Sequence, residues 1–187
     1  MNYKQWMDKA KSITKDSKFY PVIAGGALRD TLLGKPVKDI DVFMVPTYDD
    51  EVTCDDVIEF CKDNDIHIDF LSAYEEDEVA KTKLGIISTG KSFEYEGDMF
   101  ETRKIVFNYI FMGKRISLYT ILDTFDFGLC KIAMNISKQI IVHPDFWEDA
   151  LNKTLTLFRY RSDDRKLERI KRMTEKYYNY KLIDKTQ

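Results

Sequence analysis

The sequence predicts an α/β (α+β) protein, a mixed sheet flanked by helices with a short helical segment after it. Three observations lead there. An apolar run, residues 20–24, stops at the pair Gly25-Gly26 and gives way to a short helical stretch. A second apolar run, residues 42–45, is opened by Asp39-Ile40-Asp41. A third stretch, residues 100–112, alternates with period two. Ile105, Phe107 and Tyr109 share one face and Val106, Asn108 and Ile110 the other, as along a strand.

The elements follow in order. Residues 1–18 form an amphipathic helix, with Trp6, Ala10 and Ile13 at near-helical spacing and lysines between them. Residues 19–24 are the first strand. Residues 27–33 are a short helix that stops at Gly34, and residues 39–45 are the second strand. Residues 52–63 read as a helix capped by Thr53, whose first-turn Asp55 and Asp56 suit the helix dipole. His67 and Asp69 alternate with apolar neighbours in a short strand, and His67 reads as a surface residue. Residues 74–83 are helix or loop, 84–87 a strand, and 90–98 a polar turn. Ser117 opens a helix to residue 124 with Leu118, Ile121 and Leu122 inward. A further apolar run starts at Phe125-Asp126-Phe127. Residues 140–146 read as strand and turn broken at Pro144, with His143 at the strand end, and residues 147–157 as a helix. From residue 162 the chain is basic and helical, with Arg165, Arg169 and Arg172 on one face and Leu167, Ile170, Met173 and Tyr177 on another.

Length and composition narrow the function. A chain of 187 residues suits one domain with an appendage, expected at 1–146 and 147–187. A net charge of −3, from 29 basic and 32 acidic side chains, carries no overall basic excess to mark nucleic-acid binding. The three cysteines have neither C-x-x-C nor metal-finger spacing, and an odd count argues against a disulfide framework. A reducing cytoplasm is the default compartment. No apolar stretch reaches membrane-span length, and the first residues lack a secretion signal.

The chemistry concentrates in residues 24–45. Side chains alternate along a strand, so Asp39 and Asp41 point the same way. Adjacent carboxylates repel unless a cation lies between them. Hard oxygen ligands at that spacing suit Mg2+ or Mn2+, which keep room for phosphate oxygens. The glycine turn before a helix offers backbone N–H groups to an anion. Together these features point to phosphoryl or nucleotidyl transfer. Arg29 is placed either to orient a phosphate or to pair with Asp30.

The run Gly25, Gly26, Arg29, Asp30, Leu32, Leu33, Gly34, Asp39 and Asp41 resembles the head domain of class II tRNA nucleotidyltransferases and bacterial poly(A) polymerases. These belong to the DNA polymerase β-like nucleotidyltransferase superfamily, and the chain looks like a short, stand-alone form. The resemblance implies transfer of a nucleoside monophosphate from a nucleoside triphosphate such as ATP to an acceptor. Asp39 and Asp41 would be catalytic and metal-binding, and Gly25, Gly26, Arg29 and Asp30 nucleotide-binding. It also implies a sugar contact for Asp126 and base reading by an Asp-x-x-Arg pair, which falls on Asp163 and Lys166 when Arg169 anchors the alignment. Two departures stand out: Thr124 and Phe125 replace two arginines before Asp126, and Lys166 replaces an arginine. A third carboxylate belongs on the strand beside Asp39-x-Asp41; the candidates are Glu101 and Asp126, since Asn108 holds the centre of that strand. An RNA (tRNA-like) 3′ end is the implied acceptor. A protein or small-molecule acceptor is the first rival, and an inactive nucleotide- or RNA-binding module the second. A homodimer or protein partner would replace the body and tail that longer members carry.

Overall fold

The computed structural model describes residues 2–49, 52–67, 69–70, 83–96, 102–159 and 163–186. The expectations for residues 74–82 and for Glu101 lie outside the described residues.

Six α-helices, a 3-10 turn at Gly128–Cys130 and nine strands are described: α1 Tyr3–Thr14, β1 Phe19–Ala24, α2 Gly26–Leu32, β2 Asp39–Pro46, α3 Cys54–Asp63, β3 Asp69–Phe70, β4 Lys83–Glu96, β5 Thr102–Met112, α4 Leu118–Asp123, β6 Ile132–Met134, β7 Ile140–Val142, α5 Pro144–Asn152, β8 Thr154–Leu157, α6 Asp163–Lys176 and β9 Lys181–Asp184. Seven strands form a mixed sheet in the order β3-β4-β5-β2-β1-β6-β7, so β2 is its middle strand. β2 runs antiparallel to β1 and parallel to β5, with Asp41 opposite Asn108. The parallel pair needs a crossover, and α3, β3 and β4 lie within it.

The hydrophobic core forms where the apolar pattern predicts it. Trp6, Met7 and Ala10 of α1 are buried in one cluster with Ile40, Val42 and Met44 of β2 and Ile105, Phe107 and Tyr109 of β5. The other face of β2, with Phe43 and Val45, joins a second cluster with Ile121 and Leu122 of α4. Alternation along β5 is as read: Ile105, Phe107 and Tyr109 are buried, and Val106, Asn108 and Ile110 half-buried. The caps are local. Asn2 and Gln5 form a capping box on α1, Thr53 and Asp56 form one on α3, and Ser117 caps α4. Gly34 takes φ +65 with open space around it, so a left-handed backbone, and not close packing, calls for glycine there.

Four expectations change. The segment 90–96 is strand, because β4 continues through Phe93-Glu94-Tyr95-Glu96 in register with Arg103 and Lys104 of β5. Pro144 starts α5 and does not break a turn: proline has no N–H to lose at a helix's first position, and His143 caps the end by accepting from the Asp145 N–H. The helix expected over 147–157 ends at Asn152, where Lys153 turns left-handed at φ +52. Thr154-Leu155-Thr156-Leu157 alternates and forms β8, held by the buried Asp149 carboxylate, which accepts from Thr156 N–H and from the hydroxyls of Thr154 and Thr156. Finally, the basic helical segment ends in a strand, β9, which lies parallel to β8.

Candidate active site

The middle strand carries the acids. Asp39 and Asp41 are both half-buried and flank the fully buried Ile40, so strand alternation puts both carboxylates on the side opposite that core residue. Asn108 Nδ2 donates to Asp41 Oδ1 at 3.1 Å across the β2–β5 pair. The neighbouring strand therefore presents an amide, not a third acid, beside Asp41. Among the described residues no cluster of three His, Cys, Asp or Glu side chains is placed to hold a metal ion. Two carboxylates on one strand face, one of them steadied by an amide, still fit a Mg2+ or Mn2+ ion that takes its other oxygens from phosphate and water.

The glycine turn sits on the next strand. Gly25 adopts φ +83, and a Cβ there would come within 2.7 Å of the Phe125 ring. Its N–H is used by the Ile132 carbonyl at 2.8 Å, so this amide ties the turn to β6 and does not face an anion. Gly26 opens α2, and the first-turn N–H groups of a helix have no acceptor within it. Phe125, in place of an arginine, packs edge-on against Phe43 of β2 with ring centroids 6.0 Å apart.

Arg29 and Asp30 turn inward. Both are 4% exposed. Arg29 Nη2 lies 2.8 Å from Asp30 Oδ1, its Nε donates to the Tyr177 hydroxyl at 2.9 Å, and its Nη1 to Cys130 Sγ at 2.9 Å. Of the two sequence readings of Arg29, the geometry has the pair with Asp30, because every nitrogen of the guanidinium is engaged inside the protein. Tyr177 O–H also donates to Asp30 Oδ1 at 2.6 Å, and Lys176 Nζ donates to Asp30 Oδ2. Burial pushes the Asp30 carboxyl up, yet Arg29, Lys176 and Tyr177 together hold it below the usual carboxylate range.

The remaining predicted residues lie on or against α6. Arg169 grips Asp126 with two bonds, Nε to Oδ2 at 2.8 Å and Nη2 to Oδ1 at 3.3 Å. Asp126 Oδ1 also accepts the Phe127 N–H at 2.9 Å. Asp126 is thus an arginine partner in this geometry. Lys166 reaches Asp184 at 3.0 Å and the Thr186 hydroxyl at 3.2 Å. Asp163 begins α6, and its side chain lies outside what is described. Sequence reasoning missed Tyr177, Lys176, Cys130 and Asn108 as members of these arrangements. Only Asn108 carried a signal, as the polar residue centred in an apolar strand. Among the described residues the three cysteines are free thiols, Cys54 exposed and Cys61 and Cys130 buried. No helix of the described residues is long and apolar enough to cross a membrane.

The sequence model of the Gabija anti-defense 2 family matches residues 2–153. Compared with curated proteins, the sequence finds no match. Among solved structures, the Bacillus stearothermophilus CCA-adding enzyme in complex with CTP superposes with a TM-score of 0.58 at 18% identity, over 98% of this chain and 42% of that one. A CCA-adding enzyme in apo form gives 0.60 at 14% identity, over 100% and 41%. A tRNA-processing enzyme in apo form gives 0.57 at 19% identity, over 96% and 43%. The fold is therefore that of the nucleotidyltransferase head of CCA-adding enzymes, and the chain spans about two fifths of those proteins' length.

Proposed function

The chain belongs to the Gabija anti-defense 2 family, and we propose that it is a metal-dependent nucleotidyltransferase that moves a nucleoside monophosphate from a nucleoside triphosphate to an acceptor hydroxyl. The observation that carries this reading is the pair Asp39 and Asp41 on one face of the middle strand, next to a strand ending in a glycine turn. Those two carboxylates would hold Mg2+ or Mn2+. Held there, such a cation would supply a lower pKa for an attacking hydroxyl and charge compensation at the phosphates, with pyrophosphate as the leaving group. Gly26 and the first turn of α2 take the phosphates, and Asn108 keeps the Asp41 carboxylate turned toward its task. Arg29 and Asp30 act indirectly, by holding α2. Asp126, Asp163, Lys166 and Arg169 frame the sugar and base. The acceptor is an RNA 3′ end, in keeping with structural neighbours that are a tRNA-processing enzyme and a CCA-adding enzyme complexed with tRNA.

The test is incubation with each labelled triphosphate, Mg2+ or Mn2+, total cellular RNA and total cellular protein. Label in RNA supports the reading, label in protein moves the acceptor, and no label in any fraction overturns transfer. A second reading, an inactive binding module, is favoured by the amide at Asn108 and by the Arg169–Asp126 pair, which spends two polar side chains on each other. Calorimetric titration decides between them: binding of triphosphate without turnover supports the module.

A further inference from the structure

The last turn of α6 reaches across the fold to the loop that delivers Asp39. Lys176 Nζ donates to Asp30 Oδ2 and, at 3.3 Å, to the Pro36 carbonyl, three residues ahead of Asp39. The loop is bonded to the same place by backbone, since the Lys35 N–H donates to the Asp30 carbonyl oxygen at 2.7 Å. Tyr177, 1% exposed, donates its hydroxyl proton to Asp30 and accepts from Arg29, and the Arg29 guanidinium carbon stands 5.3 Å from the centre of its ring. The neighbouring Tyr178 ring lies 5.9 Å from Lys35 Nζ. The contacts made by residues 176–178 span about 140 positions of sequence and converge on α2 and the short loop after it. α6 is itself held at both sides, because β8 precedes it, β9 follows it, and the two strands pair in parallel.

We propose that Lys176 and Tyr177 are positioning residues for the cation-binding strand: through Asp30 and the Pro36 carbonyl, they latch α2 and the 34–38 loop so that Asp39 enters β2 in its working orientation. The proposal rests on the reading of Asp39 and Asp41 as cation ligands for its consequence, and on hydrogen bonds alone for the latch. A carboxylate that accepts from a guanidinium, an ammonium and a phenol has little freedom to turn, and a helix carrying it is fixed likewise. The loop, by contrast, has a left-handed glycine and two exposed or half-buried lysines, with no sheet partner of its own. Loss of the Lys176 bridge therefore loosens the loop before it loosens the sheet.

The experiment uses the full chain with Lys176→Met, Lys176→Arg and Tyr177→Phe. Amide hydrogen exchange follows the peptide covering residues 34–40, with β1 as internal reference, and Mn2+ alone is titrated as the cation probe. In Lys176→Met, exchange over 34–40 rises about tenfold while β1 is unchanged. Mn2+ affinity falls by about tenfold, the scale expected when a support behind a metal ligand is removed. Tyr177→Phe, which keeps the ring, gives the same pattern more weakly, and Lys176→Arg restores most of both readouts. Faster exchange confined to α6, with the 34–40 peptide and Mn2+ affinity unchanged, overturns the latch. Absence of Mn2+ binding in the wild-type chain overturns the cation reading instead, and the exchange result still decides the latch.

Discussion

Two pairs of aspartates, Asp39 and Asp41 on the middle strand and Asp30 and Asp126 off the sheet, have opposite fates. Asp30 and Asp126 are each clasped by an arginine, Arg29 and Arg169, and both arginines approach Cys130 Sγ, at 2.9 and 3.7 Å. Asp39 makes no ion pair among the described residues, and Asp41 takes a neutral amide proton from Asn108. A carboxylate already matched by a guanidinium has its charge answered by the fold. Two carboxylates side by side on one strand face repel each other, and a cation between them relieves that repulsion. The contrast sets acids that hold the molecule together apart from the two acids that the proposed transfer would use, and Asp30 and Asp39 are only nine positions apart.

The strongest way to break the contrast is to remove one acid from each pair. Asp39→Ala and Asp41→Ala should each lower nucleotidyl transfer by about a thousandfold or more, with thermal unfolding close to wild type. Asp30→Ala should unfold the protein more easily by about 3–5 kcal/mol, the cost of stranding a buried charge, as measured by urea titration. If the two sets exchange their effects, the division is wrong.

Acid titration sharpens it further. The folded Asp30 carboxyl lies below its unfolded value of about 3.9, so its contribution is complete above that pH and is lost as pH falls through the folded value. The stability gap between wild type and Asp30→Asn should therefore be widest near neutrality and narrow below about pH 4. A gap that stays constant from pH 7 to pH 3 counts against the ion-pair account.

A smaller effect is expected at Asn108→Asp, which adds a third acid beside Asp41. Mn2+ affinity should rise several-fold in calorimetry, roughly 1 kcal/mol of binding, because another hard oxygen joins the site. No change, or a decrease, places Asn108 away from the cation. Smallest is Thr53→Ala at the α3 cap, a loss of about 1 kcal/mol in unfolding with no change in cation binding.

Local sequence carried much of this. The alternation over 105–110, the Asp39-x-Asp41 spacing, the Thr53 cap and the stop at Gly34 all act over a few residues, so periodicity and turn chemistry reveal them. What stayed hidden acts over long separations. Asp30 meets Tyr177 across 147 positions, and nothing near either residue announces the other. The β8 strand was lost to a helix reading because Trp147 and Leu151 share helical spacing with residues farther on, while the left-handed Lys153 that ends the helix has no compositional marker. The role of Asp149 was illegible for the same reason: its acceptors' partners, Thr154 and Thr156, come together only once the helix has ended.

The Phe125 ring occupies the room that a methyl group would need at Gly25. With its backbone at φ +83, Gly25 is barred from carrying a side chain twice over, by conformation and by the ring. Room beside the turn is therefore gained by trimming residue 125, while the turn itself stays glycine.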